Sequence, residues 1–390
     1  MNLVVGGVAL IVALVILIWL GLELKYARRP GFPLEVIRGN WDLDRTQPEH
    51  YVLTGEMGLS NPRLDLEVMV PELTAAVTLL SKQSVAAIAH RVTITPAHPD
   101  AAARADCYWF AYIVKTCQQT QVKLQIDLTG PDLAALQAAW VRVNYVVYGP
   151  KGRTHRTHHE VVPFVFPQPQ PQEALAWRSV EQGAVLPIRT HLLNPLDQPV
   201  EIVKRYVVPY ARPGDVVTIG ETPIAIMQGR WRHPSEIQPG WVATRVCQFF
   251  LPTSSLATAC GMQTLVDIVG PTRVLLAFLG GAIAKVFGHA GGFYQLAGEE
   301  ARLIDDVTGT LPPYDQFVVL GPVNPQQVVD QIRQETGLAA AIVDVNDLKA
   351  VKVLAATSED LIPFLITALR ANPAGNADEQ TPVVLIRPKA

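Results

Sequence analysis

The chain has 390 residues, 49% of them hydrophobic and 17% charged, with 32 Lys plus Arg against 35 Asp plus Glu for a net charge of −3. So apolar a composition excludes disorder over most of the length, and the balanced charge excludes a dedicated nucleic-acid binder, which carries a basic excess. At roughly 150 residues per domain, the length allows two to three domains, each able to bury a core.

From Leu3 to Leu22 the sequence LVVGGVALIVALVILIWLGL contains no charged residue. Twenty helical residues rise about 30 Å, the thickness of a bilayer's hydrocarbon core. Trp19 lies near one end of the run, where an amphipathic ring suits the headgroup level. A secretory signal peptide fits poorly, because the run is long, no basic residue precedes it and no Ala-x-Ala site follows. Lys25, Arg28 and Arg29 follow directly, so the positive-inside rule predicts a single-pass membrane protein with its bulk in the cytoplasm. Four cysteines (Cys107, Cys117, Cys247 and Cys260) form neither a C-x-x-C pair nor a zinc spacing, and reduced thiols suit that compartment.

Residues 23–50 lack clear periodicity and read as a juxtamembrane linker. From 51 to 167 the period is two. Leu64, Leu66, Val68 and Val70 alternate with polar neighbours or Met69, and so do Val122, Leu124, Ile126 and Leu128, then Val141, Val143, Tyr145 and Val147. Short alternating strands with turn signals such as Gly149-Pro150 predict a β-sandwich, with an immunoglobulin-like one among the candidates, although no Cys-Trp-Cys spacing supports a true immunoglobulin domain. The stretch 132–140 reads as a short helix or a loop crossing. PQPQPQ then begins at Pro167 and can hold neither sheet nor helix, so 168–176 reads as a tether between two domains. Beyond it, 177–390 predicts an α/β (α+β) domain. Strands are expected at 215–220, 316–321, 341–344 and 351–355, with helices opened by Asn324-Pro325 and by Ser358. VLLAFLGGAIA at 274–284 is bracketed by Arg273 and Lys285, too short to span a bilayer, and predicts a buried helix.

Carboxylates collect where strands of this second domain should end: Asp305 and Asp306 after Leu303-Ile304, and Asp344 after AAAIV with Asn346 and Asp347 close behind. Such positions commonly face a ligand crevice, and hard oxygen ligands suit Mg²⁺ or Mn²⁺; equally, Asp and Asn at strand ends make turns. The glycine-rich stretch 280–298 matches neither the P-loop nor the GxGxxG spacing and reads as flexibility around a helix end. His155, His158, His159 and Glu160 read as a solvated hairpin, since a metal site there lacks a second cluster. Ser254, Ser255 and Cys260 have no His-Asp partner nearby, and no catalytic residue is identified.

The order of LPIRTHLLNPLDQPVEIVKRYV (185–207), GDVVTIGETPIAIMQGR (214–230), LIDD (303–306), QFVVLGPVNPQQVVDQIRQETG (316–337) and AAIVDVND (340–347) resembles the coenzyme F-420 γ-glutamyl ligase family. The resemblance covers about half the chain and leaves the anchor and the sandwich outside it. It implies an α/β homodimer that binds GTP with Mg²⁺ or Mn²⁺ and joins glutamate to a carboxylate activated as an acyl phosphate. Carried over by position, it implies metal binding at Asp305 and Asp344 and cofactor binding at Gly229 and Arg230. The chain departs from the pattern at Ala225, Ile226 and Gln228, where the family has Ser, Lys and Glu. It departs again at Val307-Thr308 in place of Ser-Asn, and at Asp347-Leu348-Lys349, where the family's Gly-Arg is missing. Two expectations therefore stand: a membrane-anchored γ-glutamyl-ligase-like enzyme, or a non-catalytic membrane scaffold or complex subunit that keeps the fold without its chemistry.

Overall fold

The computed structural model describes residues 2–27, 34–149, 152–289, 291–306, 311–345, 350–375 and 379–389, with side chains left undescribed at 2–9 and 27. Arg28, Arg29, Pro150, Val307, Thr308, Asn346, Asp347, Leu348 and Lys349, all used above, lie outside the described residues. Helix α1 runs Asn2–Ala27, and its large apolar side chains from Leu10 onward are exposed. Among the described residues, no single helix is long and apolar enough to cross a membrane.

The first domain is an immunoglobulin-like sandwich of β1 (Glu35–Gln47), β2 (His50–Asn61), β3 (Val68–Ser81), β4 (Ala89–Ala97), β5 (Tyr112–Val114), β6 (Gln118–Thr129), β7 (Leu136–Gly149) and β8 (Gly152–Pro163). One sheet has the order β1-β2-β6-β4 and the other β5-β3-β7-β8. Val122, Leu124, Ile126 and Leu128 of β6 enter the shared core, while Gln121, Lys123 and Gln125 face out, as period-two patterning requires. Two expectations are corrected. Residues 35–47, read as linker, form β1, an edge strand that is half-buried at best and carries a bulge between Arg38 and Trp41, so its apolar residues do not alternate cleanly. Leu64 and Leu66 precede the strand that Val68 begins, because Asn61 ties a turn there: its Nδ2 donates to Leu66 O at 2.8 Å and its Oδ1 accepts from Arg63 N at 3.2 Å. The 132–140 stretch is a short 3₁₀ turn, Leu133–Ala135, leading straight into β7.

The second domain is built on β9 (Arg178–Val180), β10 (Gly183–Ile188), β11 (Val216–Gly220), β12 (Trp231–Arg232), β13 (Asp305–Asp306), β14 (Val318–Val319), β15 (Ala339–Val345), β16 (Val351–Ala356) and β17 (Val383–Pro388). Its main sheet has the order β16-β15-β11-β17-β10-β9, with β11 and β15 parallel, and a small sheet has the order β12-β14-β13. The helices are α2 (Pro199–Tyr206), α3 (Glu221–Met227), α4 (Trp241–Val246), α5 (Ala259–Val269), α6 (Pro271–Val286), α7 (Gly292–Ala297), α8 (Pro325–Thr336) and α9 (Ile362–Leu369). Pro325 opens α8 after Asn324 and Gly337 closes it in the left-handed conformation, as the sequence signals predict.

Helices α4–α7 form an insertion between β12 and β13 with its own core around Met262, Leu265, Val274 and Phe293. The glycine-rich stretch 280–298 serves packing here. A Cβ on Gly281 would stand 2.7 Å from Phe293 N, so only glycine lets α6 and α7 approach this closely. The expectation of a buried helix at 274–284 is half right. Val274 and Ala277 are buried, but Leu276, Leu279 and Ile283 are exposed.

The Pro/Gln segment separates the domains in sequence without separating them in space. Ala138, Trp140 and Val161 of the sandwich share one buried cluster with Ala225, Ile226, Trp231, Tyr314, Phe317 and Val319 of the second domain. Phe317 contacts Trp231, His159, His233 and Trp140 edge-on, with ring centroids 4.6, 5.1, 5.3 and 5.6 Å away. The His-rich run is therefore a solvated hairpin only in part: His155 is exposed, but His159 and Glu160 are buried at 6% and 3% exposure. Trp140 Nε1 donates to His159 Nδ1 at 3.2 Å, and burial, followed by the neighbouring His233, His158 and Arg142, pushes the His159 imidazolium down to about 3. His159 is thus neutral at ordinary pH and belongs to the packing. Replacing Phe317 with Ala is expected to cost about 3–5 kcal/mol through cavity formation, read as a lower denaturant midpoint.

Candidate functional site

Strands β11 and β15 run parallel, with Gly220 opposite Val343, so their carboxyl ends open on the same edge of the sheet. A crevice beyond the strand ends is where open α/β sheets place ligands. Glu221 is the first residue of α3, directly after β11; Asp344 stands one residue past Val343; and Asp305, on β13, comes in from the small sheet. The Thr222 hydroxyl donates to Asp305 Oδ2 at 3.3 Å, fixing that carboxylate to the start of α3.

The three carboxyl groups act on one another. Glu221 is pushed up to about 9, first by burial and then by the charges of Asp344 and Asp305, with Lys352 opposing. Asp305 is raised by burial and by Asp344 against the Thr222 hydrogen bond, and Asp344 by burial against Lys352. Glu221 is 9% exposed, and its Oε2 is buried without a hydrogen-bond partner. Glu221 therefore holds a proton at neutral pH, the relief available to a buried acid facing two others.

The two predicted metal ligands are thus within reach of one another's charge, and Glu221, which sequence reasoning missed, is acted on by both. A signal for it existed: Gly220-Glu221 ends a strand, just as the run before Asp344 does. The other two predicted site residues are engaged elsewhere. Gly229 adopts φ +67°, and a Cβ there would lie 3.2 Å from Arg38 Nη1 of the sandwich. Arg38 is held by Glu160 at 3.0 Å, and Glu160 also meets His158 at 2.5 Å. Arg230 donates through Nε to Gly321 O at 2.5 Å and lies 3.5 Å from Glu300.

The donor chemistry of the crevice is that of a hard cation, and the unpartnered Glu221 oxygen is what such an ion would satisfy. Its spacing is not. Among the described residues, no group of three or more His, Cys, Asp or Glu is placed to hold a metal ion. Among the described residues a nucleotide fits no better, because phosphate needs cationic partners and Lys352, whose charge reaches Glu221 and Asp344, is paired with Glu299 at 2.6 Å, while Arg230 is engaged as above. The described residues of the crevice therefore do not fit the GTP and metal implied by the resemblance.

The proton on Glu221 has a consequence for stability. The unfolded chain releases it near 4.5 and the folded chain near 9, so stability falls as pH rises through that window. Glu221→Gln, which removes the ionisation and keeps the shape, is expected to stabilise the fold at pH 8 by on the order of 1 kcal/mol or more, read as a higher thermal midpoint, with the gain vanishing towards pH 4.5. A pH series of melts on the two proteins checks this.

The comparison with curated proteins finds no match to the chain. Among solved structures, the GAE domain of yeast GGA1 is 8% identical over 35% of this chain and 96% of that one, at a TM-score of 0.20. The GAE domain of GGA2p from Saccharomyces cerevisiae is 6% identical over 34% and 99%, at 0.21, and a protein from Archaeoglobus fulgidus 10% identical over 34% and 98%, also at 0.21. The family match falls on the sandwich, which the resemblance read from sequence had left outside the ligase: residues 35–166 match the family described as F420-0:gamma-glutamyl ligase, N-terminal Ig-like domain.

Proposed function

We propose that the chain is a membrane-anchored, γ-glutamyl-ligase-like protein that works as a non-catalytic scaffold, holding partners in a membrane complex. The observation that carries this reading is the engagement of Arg230 and Lys352. Lys352, whose charge reaches Glu221 and Asp344, is paired with Glu299 at 2.6 Å, and Arg230, across the small sheet from Asp305, lies 3.5 Å from Glu300. Phosphoryl transfer depends on cations aimed at the developing charge, and side chains already paired with carboxylates do not supply it. The family match over residues 35–166 supports the ligase-like lineage. The uncharged run Leu3–Leu22, followed by Lys25, Arg28 and Arg29, supports the anchor and a cytoplasmic bulk.

A second reading rests on one specific observation, the buried Glu221 Oε2 with no partner. In that reading the crevice takes Mg²⁺ or Mn²⁺ with GTP after local rearrangement, and the chain ligates an amino acid to a carboxylate as a homodimer. Thermal melts of the full chain in detergent with GTP, ATP and Mn²⁺, alone and together, separate the two. Ligand at a hundredfold excess over Kd stabilises by about 2.7 kcal/mol. The scaffold reading predicts no shift at millimolar nucleotide and metal. A metal-dependent nucleotide shift that the Asp305→Ala, Asp344→Ala double variant abolishes would replace it with the ligase reading.

A further inference from the structure

We infer that the α4–α7 insertion is a second membrane contact, with α6 lying along the bilayer surface that α1 enters. The inference goes beyond the scaffold reading and rests on its anchor. Helix α6 is apolar on both sides. Val274 and Ala277 face the insertion's core, while Leu276, Leu279, Ile283, Val286 and the following Phe287 are 51–84% exposed at three- and four-residue spacing, a stripe on the outer face. The stripe extends sideways on both flanks. The Phe249 ring, 73% exposed, packs at 4.9 Å on Phe278 of α6, and a Cβ on Gly280 would touch Leu296 Cδ1 at 2.6 Å, with Leu296 itself 49% exposed. A helix that is apolar all round in water-facing protein lacks a partner for one side.

Three features of the chain commit that side to lipid. First, the backbone from Ala27 to Leu34 can extend no more than about 25 Å, so once α1 is inserted the folded domains stay close to the membrane. Second, α6 itself carries no acid and has an exposed cation near each end, Arg273 and Lys285. Basic side chains around an apolar stripe draw a surface helix to anionic lipid. Third, the exposed rings of Trp241, Phe249 and Phe287 suit the boundary between headgroups and acyl chains. Lying flat is the geometry that fits. Although α5 and α6 together are apolar enough for a span, they are bent by 112°, and Met262, Leu265 and Val266 of α5 are buried in protein. Alone, the 16 residues of α6 rise about 24 Å, short of the hydrocarbon thickness.

The test uses the full chain carrying a solvatochromic fluorescent amino acid in turn at Val286, Leu14 and Leu64. It is reconstituted into phosphatidylcholine–phosphatidylglycerol vesicles with and without doxyl-labelled lipid. Val286 and Leu64 are equally open to solvent, at 84% and 85%, so they differ only in the surface they belong to. The expected result is a blue shift and doxyl quenching at Leu14 and Val286, with neither at Leu64. Quenching at Leu14 without quenching at Val286 overturns the inference and leaves the anchor standing. No quenching at Leu14 removes the anchor itself. A blue shift at Val286 that grows with protein-to-lipid ratio and resists doxyl quenching would assign the stripe to a second copy of the chain, and likewise overturns the inference.

Discussion

The ring of Phe317, wedged among Trp140 and His159 of the sandwich and Trp231 and His233 of the second domain, is the contact on which the arrangement of this protein turns. Edge-on aromatic pairs are each worth roughly 0.5–1.5 kcal/mol beyond the area they bury, and here several meet at one ring. With the sandwich seated there, Arg38 reaches Gly229 and Thr157 N donates to Glu236 at 3.1 Å. The Glu160 carboxylate that holds Arg38 is itself almost fully buried. Both domains thus contribute to the turn that leads into Arg230 and β12, and the position of Arg230 depends on the sandwich as well as on its own fold.

Across the small sheet from that turn, the crevice shows how burial acts on three neighbouring acids. Glu221, Asp305 and Asp344 face one another, and the most buried of them keeps its proton. A neutral carboxyl costs far less to bury than an ionised one. Among the described residues, Lys352, whose charge reaches Glu221 and Asp344, is paired with Glu299. The architecture of the strand ends is that of a ligand site, and one buried oxygen in it, Glu221 Oε2, has no hydrogen-bond partner.

Much of the sandwich could be read from the sequence, because alternation in a strand with one buried face is a direct imprint of the pleat: β6 and β7 fall where the pattern placed them. β1 escaped because an edge strand with a bulge and half-buried residues leaves no regular pattern. The caps at Asn324-Pro325 and Ser358 were legible, since helix ends are decided by a few local residues. The link between Asp305 and Asp344 was foreseen only as two strand ends; Glu221, at a third strand end, carried the same local signal, but which strand ends share a crevice is decided by tertiary structure. His159 was misread for the same reason: no local pattern in KGRTHRTHHE tells which histidine a second domain will cover.

If the aromatic wedge locks the two domains, they must lose structure together. Equilibrium urea unfolding followed by hydrogen exchange, read separately over β6 in the sandwich and β15 in the second domain, tests this most directly. The account predicts coincident transitions in the native chain that separate when Trp140 is replaced by Ala. Separate transitions in the native chain would contradict it, for the sandwich would then be a bead on a Pro/Gln string with no hand in placing Arg230.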